Sequence, residues 1–324
     1  MKKNKIVLMF PGQGSQYKGM GLDYSTVSNK FNDYFNLASE LLNESLSDII
    51  SDINDNSTKL DNTLYSQISI YTLSSVIFDY LFEQKFLKKD DIFTVSGHSL
   101  GDYSALYASG YYSFKDGLKL VKYRGSIMAE ANEKMDGMMA AVLGADYESL
   151  ENLLIQYKDK FKEEVYIANY NEYSQLVISG RRYSIEKAID FLEENKIRKI
   201  IPLKVKIASH TPLMKDISVK VGDYLKNIIL NEPVFNFFSS TSLIYPKMEE
   251  IKSVLENQLI SQVNWVKSIE YFLNNEVNVF IEVGPGKVLS GLTKRIAEKN
   301  QKKEVLIFNT DNLSELNNLK NYLS

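Results

Sequence analysis

The pentapeptide Gly97-His98-Ser99-Leu100-Gly101 stands between the apolar run Ile92 to Val95 and a helical pattern that passes through Leu106 toward Gly110. A serine flanked by glycines where a strand turns into a helix is the context of a nucleophile elbow. The glycines let the chain turn sharply and present the hydroxyl without a Cβ clash. Chance alone produces such a pentapeptide, as an ordinary tight turn, in about one chain in ten of this length, so its flanks carry the argument. They predict an α/β chain. Two further runs repeat the rhythm, Ile6 to Phe10 before Pro11-Gly12 and Val277 to Val283 before Gly284-Pro285-Gly286. Strand, glycine-bearing turn and helix in succession build a parallel sheet.

Between about Asn132 and Lys204 the order changes. Strand patterns at Met138 to Leu143, Val165 to Tyr170, Gln175 to Ser179 and Arg198 to Leu203 alternate with helical patterns at Tyr147 to Tyr157 and Ser184 to Asn195. That βαββαβ order is ferredoxin-like. The expected architecture is therefore an α/β-hydrolase-like parallel-sheet large domain, residues 1–131 and 205–324, with residues 132–204 inserted as a ferredoxin-like small domain. Clefts between two such lobes are preferred ligand sites. The polar segment Asn43 to Asn62 reads as a short helix plus loop.

With 324 residues and 44% hydrophobic side chains the chain can fill a core. It has no cysteine, which removes disulfides, thiolate metal sites and cysteine nucleophiles and fits a reducing compartment. The basic Met1-Lys2-Lys3-Asn4-Lys5 precedes an apolar run too short for a signal peptide, and no stretch approaches the ~18 consecutive apolar residues of a membrane helix. The expectation is a cytoplasmic chain with no membrane partner. A net charge of −3 gives no general attraction to nucleic acid.

A serine hydroxyl needs a base, and histidine is the usual one. This chain has two histidines. His98 is adjacent to Ser99, where neighbouring side chains diverge, and reads as a packing or positioning group. His210, in Ala208-Ser209-His210-Thr211-Pro212, is the remaining candidate; Thr211 can cap the following helix with Pro212 at its first position. Spacing assigns no orienting acid, and Asp102 lies too close to Ser99 in sequence to be a comfortable choice. On the helix expected from Phe114 to Glu133, Arg124 shares a stripe with Val121 and Met128. An inward guanidinium wants an anion; one at the stripe's edge snorkels to water or pairs locally. Pro11-Gly12-Gln13-Gly14 lacks the Lys-Ser/Thr ending of a nucleotide-binding loop.

Phe10-Pro11-Gly12-Gln13-Gly14-Ser15-Gln16, Gly97 to Leu106 and Ile281-Glu282-Val283-Gly284-Pro285-Gly286 together resemble malonyl-CoA:acyl-carrier-protein transacylases. Tyr123-Arg124-Gly125, Gly137 to Ala141, Asn169-Tyr170-Asn171, Ser209-His210 and Gln258-Leu259 follow in the family's order, so the resemblance covers nearly the whole chain. It implies that Ser99 is acylated, that His210 is its base, and that the backbone carbonyl of Gln258 orients the imidazole. It implies an oxyanion hole from the N–H groups of Gln13 and Leu100, a carboxylate clamp at Arg124, and Gln67 and Asn169 lining the pocket. It further implies malonyl-CoA as donor, acyl carrier protein as acceptor, and no metal or resident cofactor. Lys287, Lys294 and Arg295 are candidates for carrier docking, or else a solvated helix face. Tyr173-Ser174 departs from the family pattern at the pocket rim. The sequence leaves open fatty-acid or trans-acting polyketide synthesis, a substituted malonyl unit for which small Ser209 could leave room, an acyl-thioester hydrolase and a non-catalytic scaffold.

Overall fold

A computed structural model describes residues 4–51 and 58–323. Part of the expected helix and loop between Asn43 and Asn62 lies outside these residues; the described part contains the helices Leu46–Ser51 and Thr58–Asp61. The described strands are β1 (Ile6–Phe10), β2 (Ile92–Gly97), β3 (Gly137–Leu143), β4 (Val165–Glu172), β5 (Gln175–Arg181), β6 (Lys199–Pro202), β7 (Phe237–Phe238), β8 (Val263–Asn264), β9 (Val279–Glu282) and β10 (Leu306–Asn309).

The first sheet has the order β10-β9-β1-β2-β7, with every neighbouring pair parallel. All five residues of β1 are buried, as expected of a central parallel strand covered on both faces, and this is why Ile6 to Phe10 is uniformly apolar rather than alternating. The helix Thr63–Glu83 is likewise buried on nearly all sides, through Ile68, Leu73, Val76 and Ile77 together with small Ser and Thr residues. The helix Phe114–Met135 packs along it, starting at Ser113, whose hydroxyl accepts from the Asp116 N–H. These two helices carry Gln67 and Arg124.

The second sheet has the order β6-β3-β5-β4-β8. Its first four strands are antiparallel neighbours joined by the helices Tyr147–Phe161 and Arg182–Glu194, which is the expected βαββαβ unit. The fifth strand is a finding: β8 comes from outside residues 132–204 and pairs parallel with β4, Asn169 opposite Val263 and Tyr170 opposite Asn264. This pairing joins the inserted sheet to the returning part of the chain beside Asn169 and Asn171.

One local expectation changes, and one buried acid stands out. Thr211 does not cap the next helix with its side chain; its hydroxyl donates back to the Ala208 carbonyl at 2.7 Å, and Pro212–Met214 form a 3-10 turn before the helix Lys215–Leu225. Glu282, inside the third motif, is fully buried at the end of β9 and accepts the N–H groups of Leu289 and Ser290 at 3.0 and 2.7 Å. It satisfies the start of the helix Val288–Lys299, and burial pushes its carboxyl up to about 7.

The elbow depends on close backbone packing. A Cβ on Gly101 would overlap the Phe10 carbonyl oxygen, and one on Gly97 would overlap the Gly101 and Asp102 backbone. Gly101→Ala is therefore expected to destabilise the protein by ~3 kcal/mol or more in chemical denaturation. Gly144→Ala, at a φ of +84° with nothing near the added carbon, should cost only about 1–2 kcal/mol.

Candidate active site

β2 ends at Gly97, and the helix Gly101–Ser109 begins four residues later with Ser99 at the apex between them. The sharp turn is made by Ser99 itself, whose φ is +53°; Gly97 and Gly101 contribute the absence of side chains at the crossing. His210 also has a left-handed backbone, with φ of +61°. Such conformations cost non-glycine residues about 1–3 kcal/mol each and persist where the surroundings over-determine them.

The two strained residues face each other. Ser99 Oγ lies 2.9 Å from His210 Nε2. Nδ1 of the same ring lies 3.0 Å from the Gln258 carbonyl oxygen and 2.9 Å from that of Ser261. Both are acceptors only, so Nδ1 carries the proton and Nε2 presents a lone pair to the serine hydroxyl, the tautomer a general base needs. The His210 N–H also donates to Leu259 O at 2.8 Å, locking ring and backbone to one segment. Ser261 was not anticipated, because a backbone acceptor has no side-chain signature.

His210 is buried, and burial is the largest cause that lowers its pKa, to about 4 from an ordinary 6.5; the Arg124 charge and then His98 lower it further. The imidazole is therefore neutral across the physiological range. Arg124 is 1% exposed and its Nη2 is 3.5 Å from Ser99 Oγ. Its guanidinium carbon sits 5.2 Å from the centre of the Tyr103 ring. Val121 and Met128 are buried with it, as the stripe predicted. Among the described residues no salt bridge reaches it and its Nε has no hydrogen-bond partner, so the buried cation faces the serine with only the longer-range influence of Tyr103 and Asp102 to stabilise its charge.

These groups open on a cleft of about 370 Å³ between the sheets, lined by Gln13, Leu100, Arg124, Asn169 and His210 around Ser99. The N–H groups of Gln13 and Leu100 have no backbone acceptor among the described residues. Met128, Met139, Val177 and Ile207 give the cleft an apolar wall. Gln67 is fully buried behind Gln13 and Met128, its Nε2 at 3.5 Å from Gln13 Oε1 and 3.4 Å from Met128 Sδ, rather than at the cleft surface where the resemblance put it. Gln258 also lies behind the wall. His98 packs edge-on to Trp265 and donates from Nε2 to Asn171 Oδ1 at 2.8 Å, a positioning contact whose partner the sequence had not singled out. Lys287 and Lys294 are exposed, whereas Arg295 contacts Glu172 and Gln175, each at 3.5 Å.

An elbow serine over a parallel sheet, paired with a neutral histidine, defines a serine enzyme of the acyl-transfer and hydrolase kind. The chain belongs to the acyl transferase domain family, whose model matches residues 7–312. It is similar to the malonyl CoA-acyl carrier protein transacylase of Bacillus subtilis (strain 168), 37% identical over 297 residues that cover 90% of each chain. The enzyme of that name from Haemophilus influenzae is 35% identical over 295 residues, 90% of this chain and 92% of its own. Among solved structures it is similar to a malonyl-transacylase in complex with a type II PKS acyl-carrier protein, with 29% identity and a TM-score of 0.89 over 98% of this chain and 100% of that one. Among the described residues no helix is long and apolar enough to cross a membrane.

The low His210 pKa gives a pH profile. As pH falls, His210 takes up a proton and can no longer accept from Ser99, so the kcat/KM for enzyme acylation should stay level from pH 8 to about 5 and fall below that with a midpoint near 4. Arg124→Ala removes a positive neighbour and should move this acid limb to higher pH. A limb at 6.5 in the unaltered enzyme would contradict the assignment.

Proposed function

We propose that the chain transfers a malonyl group from malonyl-CoA to the phosphopantetheine thiol of an acyl carrier protein through an acyl-serine at Ser99. The observation that carries this reading is the buried Arg124 beside the nucleophile with no salt-bridge partner among the described residues. A guanidinium can take a carboxylate in a two-pronged pair, and a malonyl thioester carries one. An acetyl group, lacking that charge, leaves the buried cation unpaired. The substrate and carrier named for the bacterial relatives support the same assignment.

His210 Nε2 takes the Ser99 proton as Oγ attacks the thioester carbonyl carbon. The oxyanion is held by the N–H groups of Gln13 and Leu100; loss of one such donor typically costs about 2.7–4 kcal/mol. The tetrahedral intermediate collapses, the C–S bond breaks, and the CoA thiolate leaves with the proton returned from His210. The carrier thiol then repeats the sequence in reverse, with His210 taking its proton and Ser99 Oγ departing. A bound malonyl carboxylate offsets the Arg124 charge and so restores basicity to His210 when it is needed. No resident metal or cofactor takes part.

Asn169 lines the cleft as a substrate contact, and Gln67 supports the Gln13 loop from behind. The exposed Lys287 and Lys294, with Arg295, offer positive charge to an acidic carrier protein. The enzyme works in the cytoplasm and feeds fatty-acid or polyketide assembly; the absence of cysteine is consistent with a reducing compartment.

Incubation with radiolabelled malonyl-CoA, with and without a phosphopantetheinylated carrier protein, tests the reading. Label should be held covalently by the enzyme, pass to the carrier, and be absent from Ser99→Ala. Arg124→Ala should lose ~100-fold in kcat/KM for malonyl-CoA while gaining relative activity on acetyl-CoA. Release of free malonate even with carrier present would make the enzyme a hydrolase, and a preference for methylmalonyl-CoA would make it a transferase for a substituted unit. No labelling by any acyl-CoA would leave a scaffold.

A further inference from the structure

Asp102 is fully buried in the first turn of the helix after the elbow, yet it touches neither Ser99 nor His210 through its carboxyl group. Its Oδ2 accepts from Gln258 Nε2 at 2.6 Å, and its Oδ1 has no partner among the described residues. A buried carboxyl with so few partners is costly, and burial pushes this one up to about 8. Core filling does not require an acid at this position.

Gln258 explains the placement. It is fully buried at the end of the helix Ile251–Gln258, and its Nε2 donates both to Asp102 Oδ2 and to the Ser99 carbonyl oxygen, the latter at 2.8 Å. An amide nitrogen has two hydrogens, so both are used. The backbone carbonyl of this same residue accepts from His210 Nδ1, and the next carbonyl, of Leu259, accepts from the His210 N–H. One residue therefore grips the nucleophile's backbone with its side chain and the base's ring with its main chain.

We propose that Asp102 is a positioning residue for acyl transfer, fixing the Gln258 side chain so that the elbow and the histidine-holding segment keep the separation at which Ser99 Oγ meets His210 Nε2. The inference rests on the acyl-serine reading above. Removing the carboxyl group leaves Gln258 with one anchor in place of two and lets the histidine-holding segment drift against the elbow. The chemical step suffers, because alignment of nucleophile and base is lost; the cleft surface that binds the acyl-CoA is untouched.

The test is a double-mutant cycle on kcat and KM for malonyl transfer to a bacterial acyl carrier protein, using Asp102→Ala, Gln258→Met, the double variant and Asp102→Asn. Gln258→Met keeps the backbone carbonyl and near-native volume while removing the amide. Asp102→Ala and Gln258→Met should each lower kcat about tenfold or more at unchanged KM for malonyl-CoA. The double variant should be no slower than the slower single, because both changes break one connection. Asp102→Asn, whose amide oxygen still accepts from Gln258, should stay within about twofold of the unaltered enzyme. The proposal is overturned if Gln258→Met or Asp102→Ala retains full kcat, if the two losses multiply, if KM moves and kcat does not, or if Asp102→Asn is as slow as Asp102→Ala. Should Asp102→Ala not fold, Gln258→Met and Asp102→Asn decide alone by the same criteria. An unaltered enzyme that takes up no malonyl label overturns this inference together with the reading beneath it, whereas an active enzyme indifferent to these substitutions overturns this one only.

Discussion

The proton on His210 Nδ1 is held by two backbone carbonyls rather than by a carboxylate, and the chemistry of the site follows from that choice. A carboxylate would orient the ring and also raise its basicity by its negative charge. Neutral carbonyls orient it without that charge. Beside buried Arg124, the result is an imidazole that stays neutral and able to accept a proton but is a weak base. In the proposed reaction the substrate's own carboxylate brings negative charge to Arg124. On that proposal selectivity and activation arise from one ion pair.

The fold exists to hold four distant stretches of chain within a few ångströms. Ser99 comes from the end of β2, Arg124 from the helix packed on the buried helix Thr63–Glu83, His210 from the segment returning from the inserted sheet, and Gln258 from the end of a short helix much later. Left-handed backbone at both Ser99 and His210 shows that local preference is overruled at the two places where direction matters most. The pairing of β4 with β8 ties the inserted sheet to the segment just beyond Ser261, so the cleft walls and the histidine's carbonyl anchors belong to one connected framework.

Much of this was legible in the residues. A uniformly apolar run before a glycine turn marked β1, and largely apolar runs marked β2 and β9, because a parallel strand is buried on both faces; alternating strands and helices between Asn132 and Lys204 marked the inserted unit. Ser99 stood out by its glycines, His210 by the scarcity of histidine, and Arg124 by its place on an apolar stripe, although only the resemblance gave that stripe a ligand. Backbone chemistry was less visible. The carbonyl of Ser261 has no side-chain signal, the two-residue strand β8 is too short to show a period, and Gln67 was assigned to the cleft surface although Gln13 and Met128 cover it. The nearness of Asp102 to Ser99 in sequence argues against it as an orienting acid. That nearness excludes direct contact with the histidine but not a connection through the side chain of Gln258, which lies far away in sequence.

The most direct test of this account is the tautomer of His210 in the resting enzyme, read by nitrogen NMR on protein labelled in histidine; with only two histidines, His98→Gln suffices to assign the signals. The account predicts a neutral ring at pH 7 with the proton on Nδ1 and a bare Nε2 facing Ser99. A ring protonated on Nε2 at that pH, whether neutral or cationic, would contradict it, since the nitrogen facing Ser99 would then have no lone pair with which to take the serine's proton.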